Sequence, residues 1–521
     1  MSSPLPPDGW TRREAIRVGL GTIAAVSLGG RLRGAEASEK RVRLFVREVP
    51  IMVHGRKSMV TAIEQGSGTH GYSPTQAEGF HVEVINELKV PTSVHWHGLI
   101  VPDLMDGVPW VTQEPIPAGG SMKFDFPLKQ SGTYWMHSHY GLQEQYLDVA
   151  PLIIWTPEER ALADSQFVVM LSDFTFTPAA EVLDHLRNST GMSPMHSADM
   201  SMQGDSKMRP GEPEKVYAQG WENGRFVRKV VEAKPADIDV HYDALLANRR
   251  TLDDVEQLRV APGESVLLRL VGASSATDFY IDTGELEAEL LAVDGEAVEP
   301  LRGNYFQLAV AQRIDLRVKI PREGGAFPIL GQGEGTKLLA GVVLATDGAT
   351  VKPLPTMAEL STATLDNTQE RRLRAIRPLS RRAADRTLEA ALGGKMMGYI
   401  WTINGEAYPN RNSLDVTAGE RVEVEFTNAT GMGHPMHLHG HVFQVIEIDG
   451  ERISGAVRDT VEVPPGSRMT IAFDADNPGI WAFHCHIVYH MATGMFTVVK
   501  YAGADTRYWK PQETPKEIQS L

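Results

Sequence analysis

Cysteine is almost absent from this chain: Cys485 is the only one in 521 residues. No intramolecular disulfide can form, so cysteine usage carries no information about redox compartment. Positive charge is short as well. Fifty-one Lys and Arg stand against 66 Asp and Glu, a formal charge of −15, which argues against nucleic acid and anionic membrane as partners. Long apolar runs are also missing. The one candidate, Val18 to about Gly30, is too short to cross a bilayer. No transmembrane segment is therefore expected in the mature chain.

That short run has a different meaning. Arg12-Arg13 stands before it and Ala35-Glu36-Ala37 after it, the layout of a twin-arginine export signal with a small-residue cleavage site. Residues 1–37 are expected to be removed on export, which places the protein in the periplasm or otherwise outside the cytoplasm. Asn188-Ser189-Thr190 and Asn428-Ala429-Thr430 then match a glycosylation pattern by chance.

Glycine (48) and proline (32) make the chain turn-rich, which favours many short strands. Val42–Val49 and His81–Asn86 alternate in the strand period, with turn signals such as Pro117-Ala118-Gly119-Gly120 between such runs. Three strand-rich regions follow one another: 41–157, 166–346 and 395–503. The strand Val260–Leu270 and its Pro-Gly-Glu turn have a counterpart at 416–426, a weak internal repeat that supports copies of one sandwich unit. Residues 347–394 hold seven arginines between Arg371 and Arg386 and read as a solvated, partly helical connector. The second region has no paired histidines. It holds instead Met192, Met195, His196, Met200, Met202 and Met208, five of the chain's 20 methionines within 17 otherwise polar residues.

Ten of the 17 histidines fall in four clusters: 95/97, 137/139, 434/437/439 and 484/486/490. Each contains an i, i+2 pair, so on a strand both imidazoles face one side. Four such pairs suit a multi-metal site between two domains. On a strand over 482–487, Cys485 points away from His484 and His486, so one strand can hold a metal on each face. Thiolate, two imidazoles and a distant thioether form a blue-copper ligand set. Cys485, with His434, His490 and Met495 as satellites, has those types.

With these residues in view, the four clusters resemble the four copper signatures of the multicopper oxidases. The runs His137-Ser138-His139-Tyr140-Gly141-Leu142-Gln143-Glu144-Gln145 and Trp481-Ala482-Phe483-His484-Cys485-His486 most resemble the bacterial copper-resistance (CopA-like) branch. The resemblance implies an all-β chain of three cupredoxin-like Greek-key sandwiches and four copper ions. It implies that His434, Cys485, His490 and Met495 bind a type 1 copper, and that His95 and His437 bind a type 2 copper. His97, His137, His139, His439, His484 and His486 would bind a type 3 pair. Asp106 falls where the family keeps a carboxylate near the cluster. Val488, Tyr489 and Met491 stand where many members carry another, so a second acid in proton delivery is either missing or comes from elsewhere.

The function implied is oxidation of a reductant one electron at a time, coupled to four-electron reduction of O2 to water. Cu(I) is the expected reductant, because thioethers in the 192–208 segment prefer it. A laccase-like oxidase of phenols and aromatic amines is the alternative. A copper-storage or delivery protein is disfavoured, because storage needs no path for electrons between two metal centres.

Overall fold

A computed structural model describes residues 41–161, 165–188, 213–234, 236–410 and 413–513. The export signal expected at 1–37 and the methionine-rich stretch with Met192, Met195, His196, Met200, Met202 and Met208 lie outside them. No described helix is long and apolar enough to cross a membrane.

The architecture is all-β, as the alternating runs require. The first region pairs a four-stranded sheet, in the order 56–65, 42–53, 80–86, 121–126, with a three-stranded sheet of 95–97, 132–137 and 149–154. The buried face of Phe80–Asn86 carries Phe80, Val82 and Val84, the period-2 pattern of a half-buried strand. The second region has an eight-stranded and a five-stranded sheet around Leu268, Leu270, Phe279, Ile314 and Leu316. The third has a larger sheet built on 421–428 and 468–474. Facing it is a five-stranded sheet in the order 414–416, 496–501, 480–485, 434–438, 460–463.

The connector departs from expectation. A strand, Arg386–Lys395, runs parallel to Arg421–Asn428 and buries Ala390 and Leu392, so the boundary placed at 394 falls inside it. The preceding arginines obscured that alternation. The rest of the connector is irregular, with one 3-10 turn at Glu370–Arg372, and it is pinned rather than loosely solvated. Arg371 pairs with Asp449 and Glu451, Arg372 lies over Trp221, and Gln369 bonds the Gln307 backbone.

The register of two ladders positions the histidines. His95 lies opposite His137, and His437 lies opposite His484 with Cys485 opposite Met436. In three of the four His-x-His pairs the strand stops before the second histidine. The strands end at His137, Leu438 and Cys485, so His139, His439 and His486 hang just past the sheet edges. Those edges meet in the seam between the first and third regions.

Candidate metal centres

Eight imidazoles converge in that seam. Ligand-capable atoms of His95, His97 and His437 lie within 4.8 Å of one another, and the same holds for His95, His139 and His439, and for His97, His137 and His486. His484 completes the group through its Nε2, 3.0 Å from Nε2 of His439. All eight side chains are buried.

Each anchored ring holds one nitrogen outward and turns the other inward. The Nδ1–H groups of His95, His437 and His484 donate to the backbone oxygens of Asp106 (2.7 Å), Asp459 (2.8 Å) and Cys485 (2.9 Å). That of His439 donates to Asp106 Oδ2 at 2.9 Å. His97 is reversed: its Nε2 meets Asp459 Oδ1 and Thr460 Oγ1, both at 3.1 Å, and its Nδ1 faces His137. Fixing the outer nitrogen sets the tautomer and leaves a lone pair on the inner one.

The inner nitrogens lack ordinary partners. Nε2 of His95, His139 and His437 is buried with no hydrogen-bond partner. Others face one another lone pair to lone pair, as His137 and His486 do at 3.3 Å. Burial, reinforced by neighbouring imidazoles, holds His97, His137, His139, His437, His439 and His486 well below the ordinary range, and His484 at about 4. These seven rings are therefore neutral at pH 7, the form that ligates metals. Unpaired buried acceptors of this number are too costly to leave without a cation, so the site fits a cluster of metal ions.

On the opposite face of the same strand, Cys485 Sγ lies 3.7 Å from His434 Nδ1 and 3.6 Å from His490 Nδ1, and those nitrogens are 3.2 Å apart. The outer nitrogens are again held, His434 Nε2 by Thr430 Oγ1 and His490 Nε2 by Asp239 Oδ2, both at 2.8 Å. Trp401 lies against His490, the ring centroids 3.9 Å apart and the planes tilted by 31°. Met495 is buried, and its carbonyl accepts from the Cys485 amide at 3.0 Å. Burial pushes the Cys485 thiol well above its usual range, so a thiolate forms there only against a bound cation. A soft thiolate between two imidazoles fits copper.

Asp106 sits beside the cluster as the sequence suggests. It is buried at the end of a short 3-10 turn, with Oδ2 on His439 and Oδ1 3.2 Å from His95 Nδ1. Gly107 makes this possible: at φ +86° it lies so close to the backbone of Val94 and His95 that a Cβ would come within 2.0 Å of Val94 O.

Several functional side chains escaped the sequence reading. Glu144 stands 3.2 Å from His137 Nδ1 and 3.6 Å from His486 Nδ1, its carboxyl pushed well above the usual range by burial and then by Asp173 and Asp148. Asp459, Thr460, Thr430 and Asp239 hold outer nitrogens. Glu144 lies within the run 137–145, but nothing in the spacing marks it. Asp239 and Asp459 had no signal at all.

The comparisons agree with this geometry. Multicopper oxidase domain models match residues 47–159, 165–348 and 381–505. A multicopper oxidase of Mycobacterium tuberculosis is 33% identical over 432 residues, covering 81% of this chain and 79% of the relative. Copper resistance protein A of Pseudomonas syringae pv. tomato is 26% identical, covering 88% and 92%. Among solved structures, Fet3p, a multicopper oxidase that functions in iron import, superposes with a TM-score of 0.70 at 21% identity over 92% of this chain and 94% of that one. The chain is similar to bacterial copper-resistance proteins; it belongs to the multicopper oxidase family and is a copper-dependent oxidoreductase with O2 as acceptor.

Proposed function

We propose that this enzyme is a cuprous oxidase of copper tolerance, exported to the periplasm, with one type 1, one type 2 and two type 3 coppers. The ligands are those named above: His434, Cys485, His490 and Met495 for type 1; His95 and His437 for type 2; His97, His137, His139, His439, His484 and His486 for type 3. When bound, copper supplies one-electron redox chemistry at the Cys485 centre and O2 reduction at the cluster.

The chain's own residues do the rest. Cys485 is bonded in sequence to His484 and His486, which gives electrons a covalent route between the centres. Protons must follow the electrons. Asp459 is tied in a two-pronged ion pair with Arg313, which leaves Asp106 and Glu144 to pass protons at His439, His137 and His486. A cavity of about 210 Å³, lined by Val108, Tyr408, Met491 and Phe496 with Arg187 among them, includes His139 in its wall and offers O2 an approach to the cluster.

One observation carries the choice of Cu(I). A pocket lined by Asp237, Asp239, Asp278, Glu334 and Met432 opens beside the Cys485 centre, and its Asp239 holds His490 Nε2. Carboxylates attract a cation, and a thioether favours the cuprous state. The methionines at 192–208, with His196, extend the same chemistry. The second reading, oxidation of phenols and aromatic amines, is supported by laccases among the relatives, such as laccase-2 of Fomitopsis schrenkii at 26% identity. Steady-state rates with Cu(I) and with a small phenol separate the two. Asp237→Asn with Met432→Leu should raise KM for Cu(I) several-fold and leave phenol oxidation unchanged. If both activities fall together, or Cu(I) oxidation is untouched, the laccase-like reading moves ahead.

A further inference from the structure

Among the described residues the second region contributes no histidine to either centre, yet one of its side chains reaches a residue that holds two of the cluster's rings. Arg313 begins the strand Arg313–Lys319 and is wholly buried. Its Nη1 donates to Asp459 Oδ1 at 2.7 Å and its Nη2 donates to Asp459 Oδ2, the two-pronged geometry that a guanidinium offers a carboxylate. Its Nε donates to Thr133 O in the first region at 3.2 Å, and its face covers Tyr134. One side chain thus joins all three regions where they meet.

Asp459 is the reason this matters for the metals. Its Oδ1 accepts from His97 Nε2, its backbone oxygen accepts from His437 Nδ1, and its neighbour Thr460 touches both rings, at 3.1 Å and 3.0 Å. His97 is the ring held in reverse. It presents Nδ1 inward only while an acceptor occupies its Nε2 side. That acceptor is a carboxylate with no solvent exposure, and a buried carboxylate keeps its place only against a cation. The loop before Arg313 reinforces the contact, since Gln312 Nε2 donates to Thr460 O at 3.2 Å. Gly98, next to His97, keeps the space open: a Cβ there would lie 2.5 Å from both Arg313 Nη2 and Asp459 Oδ2.

We propose that Arg313 is a positioning residue for the copper cluster, acting through Asp459 to orient His97 and His437. The second region thereby controls the hold on two cluster ligands without supplying one. Arg269 provides the contrast. It is also buried and pairs with Asp315 at 2.8 Å within the second region, reaching Thr133 of the first, but none of its partners, Asp315, Thr133 and Gln166, holds a cluster histidine.

The inference rests on the copper reading above, and the test lets the two fail separately. Metal analysis and colour of the copper-loaded wild type come first; absence of cluster copper there would refute the copper reading itself. Cluster copper is then withdrawn with a chelator from the wild type, Arg313→Met, Arg313→Lys and Arg269→Met, and followed by electron paramagnetic resonance. Losing the outer partner of a metal-bound histidine typically weakens metal affinity about 10–100-fold. Arg313→Met should yield its cluster copper at correspondingly lower chelator, with altered resonance and an unchanged blue Cys485 centre. Arg313→Lys should fall between, and Arg269→Met should match the wild type. Wild-type retention and resonance in Arg313→Met would overturn the proposal, as would equal loss in Arg269→Met. If Arg313→Met gives no soluble protein, Arg313→Lys decides alone: weakened retention supports the role and wild-type behaviour overturns it.

Discussion

Replacing Asp106 by Asn removes an acid from the cluster while leaving its shape. Asp106 Oδ2 accepts from His439 Nδ1 at 2.9 Å, and an amide oxygen can take that position. The other oxygen, Oδ1, has no hydrogen-bond partner, so an amide NH2 there would also lack one. The structural loss is thus the difference between a charge-assisted and a neutral hydrogen bond, about 1–2 kcal/mol. In a chain of this size that moves Tm by a few degrees at most. The chemical loss is larger. Asp106 cannot then give or take a proton, and a positioned acid or base contributes typically about 10²–10⁴-fold. Asp106→Asn should therefore keep its copper and its colour, and its type 1 centre should be reduced at the wild-type rate. In stopped flow, reoxidation of the reduced protein by O2 should slow by that factor. Reoxidation at the wild-type rate would refute the reasoning and return Asp106 to the role of a turn residue that anchors two histidines.

Cys485→Ser should lose the intense blue colour and the activity while metal analysis still finds cluster copper; a variant that stays coloured would disprove the thiolate assignment. Glu144→Gln should slow O2 reoxidation as Asp106→Asn does, because it takes away the other free carboxyl beside the cluster, and equal rates in wild type and variant would remove Glu144 from the proton path. Asp148 is buried and its carboxyl is pushed up to about 7, chiefly by burial, from an ordinary 3.8. Between those values the folded chain holds a proton that the unfolded chain has released, so stability falls as pH rises through the window, by about 4 kcal/mol at most. Asp148→Asn should flatten that part of the Tm profile, with its largest gain over wild type above pH 7; parallel profiles would contradict the shift.

Much of this was legible because strand geometry is periodic. A His-x-His pair on a strand must put both rings on one side, and a Cys between two such rings must face the other. Those rules put Cys485 on one face of its strand and His484 and His486 on the other with no tertiary information; which histidines complete each centre came from the family resemblance. Periodicity failed where the chain leaves the strand. Nothing in the spacing says that the ladders stop at His137, Leu438 and Cys485, one or two residues short of the next histidine. It failed again in the connector, where arginines that pair with Asp449, Glu451 and Glu420 look like solvated charge. The side chains that hold the outer nitrogens were invisible for a different reason. Asp239 meets His490 across 251 residues, and Arg313 meets Asp459 across 146, so only the packing of one region on another brings them together.

The division of labour among the three regions follows from that packing. Among the described residues the first and third supply every imidazole of the two centres, and a metal held between two sheet edges needs those edges fixed in register. A slip of one residue in the ladder between 434–438 and 480–485 would turn Cys485 toward the cluster and His484 away from it, losing both centres at once. The second region guards against such movement from outside the ligand set. Its Arg313 locks Asp459 beside His437, and its Asp239 locks His490 beyond the end of the same strand. The Arg313–Asp459 contact is a wholly buried ion pair and the Asp239–His490 contact is a part-buried hydrogen bond, and neither can be made by a shifted strand. A region without a single ligand is thereby the one that keeps the two centres on opposite faces of one short strand, which is the condition for electrons to pass between them through Cys485.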